Sequence, residues 1–240
     1  MNQTLGYEVR VMKYEQLGGG FIKKREKRVV GLFIDGTGLD RATRRINRKV
    51  DMAALVRGVT SGIAPVVARY YTLIPYEDDS RQRAFLDAVA RAGLTVIVKR
   101  LPPKGITRQV SVDLEMAADI VAFSHGLTSF SRENEYLPSD TPLKAGPIHT
   151  PAQFVRRQQA EQAAEQETKI ETPTIPDIKT APRSIVVVCP TRELAYPMSL
   201  IKDVAGDTTT ADFGQFNTGD VLKSAAKWID LSDSETIWRD

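Results

Sequence analysis

The sequence predicts an α/β protein: a three-layer αβα sandwich around a parallel sheet, interrupted by one long insertion. Three observations predict it. Near-continuous apolar runs bounded by turn residues suit strands buried on both faces of a sheet. These runs alternate with segments of helical periodicity, which implies parallel strands joined by helical crossovers. The first run, Val29 to Ile34, ends in Asp35-Gly36-Thr37-Gly38. It delivers a carboxylate to the carboxyl end of a strand, where open α/β sheets place their sites.

The elements follow in order. After the strand at Val29 to Ile34 comes a helix over Val50 to Val59, with Ala53, Ala54 and Val56 on its inner side. Val66 to Ile74 is β-branched and aromatic, a second strand. Asp79 to Ala92 reads as a helix stopped by Gly93, a residue suited to the left-handed position after a helix end. Leu94 to Val98 is a third strand and Val112 to Phe123 a helix. Ile185 to Cys189 is a fourth strand, followed by a helix over Glu193 to Val204. A short fifth strand is expected over Thr208 to Phe213, with a last helix over Thr218 to Lys227.

Between Leu127 and Pro182 this rhythm stops. Seven of the thirteen prolines fall there, and Gln153 to Thr168 is rich in Gln, Glu and Ala, a single polar helix at most. The expected organisation is an N-terminal arm over 1–27, one domain built from 28–126 and 184–231, an insertion over 127–183, and a C-terminal tail over 232–240. The arm and the insertion are the expected contacts for a protein partner or self-association.

Composition bounds the function classes. Apolar content of 42% is that of a globular protein, and no apolar stretch reaches the length of a membrane span. The polar start lacks the apolar core of a signal peptide. Cys189 is the single cysteine, which excludes an intramolecular disulfide and suits the reducing cytoplasm. Net charge is only +3, but basic residues cluster: Lys23 to Arg28, Arg41 to Lys49, and Lys99 to Arg108. Two of these runs follow expected strand ends, so a polyanion partner is expected near that rim. Dinucleotide binding is disfavoured, because the third glycine of G-x-G-x-x-G is replaced by Arg41 and the acid precedes the glycines. A phosphatase using an aspartyl nucleophile two residues before Asp35 is excluded by Phe33.

Several motifs together resemble the NYN domain, a branch of the PIN-like nuclease superfamily, in its LabA-like form. Phe33-Ile34-Asp35-Gly36-Thr37-Gly38-Leu39 is similar to the family's strand-end D-G-x-N, and Arg69-Tyr70-Tyr71 sits where an aromatic pair often stands. Val112-Asp113 with Asp119 matches the family's V-D-x5-D. Val187 to Ala195 is similar in place to S-(G/N)-D-S-D, and Ala225 to Leu231 resembles the closing motif. The likeness covers about 29–126 and 184–231. Two departures stand out: Gly38 replaces the asparagine, and Thr191 and Glu193 occupy the positions of the two aspartates.

The resemblance implies a PIN-like fold and a divalent-metal-dependent ribonuclease, with Asp35, Asp119, Asp113 and Glu193 as catalytic and metal-holding residues and Mg²⁺ or Mn²⁺ as cofactor. The chemistry is reasonable for such groups. Hard divalent ions prefer oxygen ligands. A bound ion supplies hydroxide near neutral pH and neutralises phosphate charge. Each acid also has a plainer role. Asp35, Asp113 and Glu193 all sit where helices begin and carboxylates cap. Asp119 shares a stripe with Glu115, four residues earlier, and both would then face solvent. Thr191 is expected to cap. Arg41, Arg44, Arg45, Lys99, Lys104 and Arg108 are the expected phosphate contacts. Tyr70 and Tyr71 are expected in the core, Cys189 as an inert buried thiol, and His125 at a helix end. The alternative is a catalytically degenerate module of the same fold that binds RNA or assembles with protein.

Overall fold

In a computed structural model the described residues are 16–17, 20–21, 28–75, 80–107, 109–130, 132, 134–138, 181–216, 219–232 and 237–238. Two short strands, β1 (Gln16–Leu17) and β2 (Gly20–Phe21), pair antiparallel. Six more form one sheet: β3 (Val29–Asp35), β4 (Val67–Ile74), β5 (Thr95–Arg100), β6 (Arg183–Val188), β7 (Asp207–Asp212) and β8 (Lys227–Asp230). Every pairing in it is parallel, and the order is β5-β4-β3-β6-β7-β8. The helices are α1 (Gly36–Ile46), α2 (Met52–Val59), α3 (Ser80–Arg91), α4 (Asp113–Ser124), α5 (Ala195–Ile201) and α6 (Gly219–Ser224).

The layers follow from the pleat. Successive side chains of β3 point to opposite faces, and all seven of its residues are buried. Val30, Leu32 and Ile34 pack with Leu39 and Ala42 of α1, Leu55 and Val59 of α2, and Leu86 and Val89 of α3. Phe33 points the other way, into Met116, Ile120 and Phe123 of α4 and Met198 and Ile201 of α5. Right-handed crossovers place helices on one face when the chain steps outward in one direction, and on the other face when it reverses. Here the direction reverses between β3 and β6. That crevice is the topological switch point, and Asp35 closes the strand on one side of it.

Four expectations need correcting. The glycine turn after Asp35 is already helix: α1 begins at Gly36. Its apolar stripe is only Leu39, Ala42 and Ile46, too narrow to read through two glycines and four arginines. The helix expected over 193–204 divides into a 3-10 turn, Arg192–Leu194, and α5. The last helix ends at Ser224, and Lys227–Asp230 is a sixth strand of the sheet rather than helix or coil. Within the expected tail, Ile237 and Trp238 are buried. Trp238 packs on Phe213 at 5.7 Å between ring centroids, and the Ile237 carbonyl accepts the Asp51 amide at 2.8 Å.

The insertion leaves the domain later than expected. Asn134 and Tyr136 cover the free edge of β5, with Val98 donating to the Asn134 carbonyl and Tyr136 to that of Val96, both at 2.8 Å. Residues 139–180, with the polar helix expected at Gln153 to Thr168, lie outside the described residues, as does most of the arm over 1–27. Among the described residues no helix is long and apolar enough to cross a membrane.

Candidate functional site

The crevice between β3 and β6 is built around Asp35, which is 1% exposed. It caps α1: Oδ1 accepts the amides of Thr37 at 2.9 Å and Gly38 at 3.0 Å. Both printed bonds go to this one oxygen. Burial pushes its pKa up to about 6, against the pull of the Gly38 amide; the nearby charge of Asp113 adds to the rise, and the Thr37 amide and Arg41 oppose it.

Gly38 has a steric reason to be glycine. A Cβ there would fall 2.6 Å from the Cys189 carbonyl oxygen and 2.7 Å from Asp35 Oδ2. Cys189 sits at φ +51°, a left-handed conformation at the end of β6. The backbone after β6 and the start of α1 therefore approach too closely for the asparagine that the family carries.

Asp113 opens α4 and meets Asp35 electrostatically. Both of its oxygens are engaged by hydroxyls. Ser111 Oγ donates to Oδ2 at 2.6 Å and accepts the Asp113 amide at 3.0 Å. Thr191 Oγ1, arriving from the turn after β6, donates to Oδ1 at 2.8 Å. Thr191 makes no capping bond, contrary to expectation. Lys99 reaches the same loop, donating to the Ser111 carbonyl at 2.9 Å and to Glu115 Oε1 at 2.7 Å. It ties β5 to α4 rather than standing free for a phosphate.

The remaining two acids stand apart from this pair. Asp119 Oδ2 accepts from Arg69 Nη1 and from the Tyr71 hydroxyl, each at 2.7 Å. The stripe it shares with Glu115 is relieved by Arg69 of β4 and Lys99 of β5, one cation for each acid. Burial raises the pKa of Asp119; the Tyr71 bond and Arg69 oppose that. Glu193 is exposed in the 3-10 turn. Among the described residues no three His, Cys, Asp or Glu side chains converge on one point that would hold a metal.

The basic residues spread out. Arg41 is exposed and near enough to Asp35 to influence it. Arg44 pairs with Asp40 at 3.0 Å and Arg45 stacks over Phe216 at 5.1 Å, so the second basic run follows α1 away from the rim. Lys104 is exposed in the loop after β5, and Arg108 lies outside the described residues. Tyr70 and Tyr71 are fully buried, and a Cβ on Gly36 would strike the Tyr70 ring. His125 follows α4 with Nδ1 2.9 Å from the Val121 carbonyl.

The NYN domain family model matches residues 29–130. The chain carries an NYN domain. NYN domains belong to the PIN-like superfamily. The matched stretch runs from β3 through α4 and contains Asp35, Asp113 and Asp119; Thr191 and Glu193 lie beyond it. A crystal structure of a protein of unknown function from Vibrio parahaemolyticus is similar with a TM-score of 0.58 and 9% identity, covering 91% of this chain and 100% of that one. At that identity the likeness shows the fold alone. No curated protein matches the sequence.

Two residues of the NYN rim escaped the sequence reading. Ser111 lies one residue outside the V-D motif, and a serine two before an acid at a helix start is the local signal for it. Asp212 ends β7, is 7% exposed, accepts the Phe213 amide at 2.8 Å and is hydrogen-bonded by the Cys189 thiol. Burial raises its pKa and that of the thiol. An acid closing a strand was visible there, as it was at Asp35.

Proposed function

We propose that this NYN domain hydrolyses phosphodiester bonds of RNA with the aid of a divalent cation, Mg²⁺ or Mn²⁺, held by Asp35 and Asp113. The observation that supports this most is the meeting of two carboxylates at the switch point, with no basic side chain bonded to either among the described residues. Asp35 Oδ2 makes no hydrogen bond among those residues. Mg²⁺ usually takes one or two protein carboxylates, keeps several waters and completes its shell with substrate phosphate. Two carboxylates therefore fit that ion, although four were expected. When bound, it would make hydroxide available and offset phosphate charge.

The chain's own residues supply the rest. Ser111 and Thr191 orient the Asp113 carboxylate, and the α1 amides orient that of Asp35. Arg41 and Lys104 are the exposed cations placed to meet a phosphate backbone. The single buried Cys189 suits a cytoplasmic protein.

A second reading is favoured by Asp119 and Glu193 standing outside the pair. It is an NYN module without hydrolysis that binds RNA or a protein partner, with the insertion over 127–183 and the N-terminal arm as contacts. Incubating labelled single-stranded RNA with the protein, in Mn²⁺ and in EDTA, separates the two. Hydrolysis predicts Mn²⁺-dependent cleavage that Asp35→Asn abolishes. Salt-sensitive binding without cleavage would favour the module.

A further inference from the structure

We propose that Tyr196 and Leu114 form an apolar shelf beside the carboxylate pair, on which an unstacked nucleobase rests, so that the substrate is single-stranded RNA. This rests on the hydrolytic reading above and specifies its substrate. Isolated exposed apolar residues are ordinary. Here the two most exposed large apolar side chains among the described residues, each 77% exposed, flank one site. Leu114 directly follows Asp113 in the first turn of α4. Tyr196 lies in the first turn of α5, five residues after Thr191, whose hydroxyl holds Asp113. The two helices pack against each other, and α4 also packs against the 3-10 turn between Thr191 and α5.

Helical side chains lean toward the helix N-terminus. Both N-termini adjoin the rim that holds Asp113, so Tyr196 and Leu114 lean toward it. An exposed aromatic ring beside a phosphate site is the element that stacks a base of a single strand. A duplex offers no free base face, because its bases are already stacked. Tyr196 has no hydrogen-bonded partner that would give its ring a purpose within the fold.

The test is fluorescence anisotropy of a short fluorescein-labelled oligouridylate, with Ca²⁺ in place of Mn²⁺, alongside a duplex RNA of equal length. Tyr196→Ala is expected to weaken single-strand binding about tenfold. Tyr196→Phe should bind as the wild type does, since the ring stacks and the hydroxyl does not. Duplex affinity should be the same for all three proteins. If the wild type cleaves RNA with Mn²⁺ and Tyr196→Ala still binds the strand as tightly, the shelf is wrong and the hydrolytic reading stands. If the wild type neither binds nor cleaves, both are wrong. Conversion of a dimer to a monomer by Tyr196→Ala, with strand affinity unchanged, would mark the face as a self-contact and overturn the proposal.

Discussion

Asp35 both caps a helix and carries a carboxylate whose charge the surroundings resist. Its pKa stands at about 6 against an ordinary 3.8, chiefly through burial. Between those values the folded chain keeps a proton that the unfolded chain has released. This group's contribution to stability therefore falls as pH rises through that window and is lost above it, a change of about 3 kcal/mol. Asparagine also caps helices but carries no charge. The melting temperature of Asp35→Asn in EDTA should thus gain on that of the wild type as pH rises from about 4 to about 7. A difference that stays constant would mean Asp35 ionises as an exposed acid does. Asp119 calls for the opposite treatment. Its pair with Arg69 is nearly buried, at 6% and 19% side-chain exposure. Breaking such a pair leaves an uncompensated charge, so Arg69→Ala should cost about 3 kcal/mol in urea denaturation. A loss under 1 kcal/mol, about that of an exposed pair, would contradict the assignment.

At the scale of elements, what was legible follows from chemistry that is local in sequence. β3 is a short apolar run ending in Asp35, and seven of its residues are buried. α3 and α4 begin and end within one or two residues of expectation because their stops are local. α1 was hidden, because its stability comes from the Asp35 cap and from packing on the sheet rather than from propensity. β8 was hidden for a related reason. It is a four-residue edge strand whose pattern, Lys227-Trp228-Ile229-Asp230, is defined only by pairing with β7. The site was half legible for the same cause. Acids at strand ends are visible in a sequence, but the Arg69 that claims Asp119 is fifty positions away. The contact between α1 and the turn after β6 gives a direct check. Gly38→Ala places a methyl against the Cys189 carbonyl and the Asp35 carboxylate. It should destabilise the protein by about 1–3 kcal/mol, as overpacking does, and displace Asp35. A variant as stable as the wild type would show that the two segments are not held this close.

Across the whole molecule, the sheet is closed at one side by the segment at 134–136 and sealed beneath α2 by the C-terminal Ile237 and Trp238. The last residues were expected to be a tail because they are short and rich in charge; the Ile-Trp pair was the signal against it. Trp238→Ala removes a largely buried ring stacked under Arg48 at 4.1 Å and should cost about 3 kcal/mol, or roughly 6–12 °C in Tm. An unchanged Tm would place the C-terminus off the core.

The account depends on which carboxylates act together. Isothermal titration of Mn²⁺ into the wild type, Asp35→Asn, Asp113→Asn and Asp119→Asn, each first shown to be folded, addresses that directly. The expected result is one site in the wild type, lost or greatly weakened in Asp35→Asn and Asp113→Asn and retained in Asp119→Asn. Binding that survives Asp113→Asn and disappears in Asp119→Asn would contradict it.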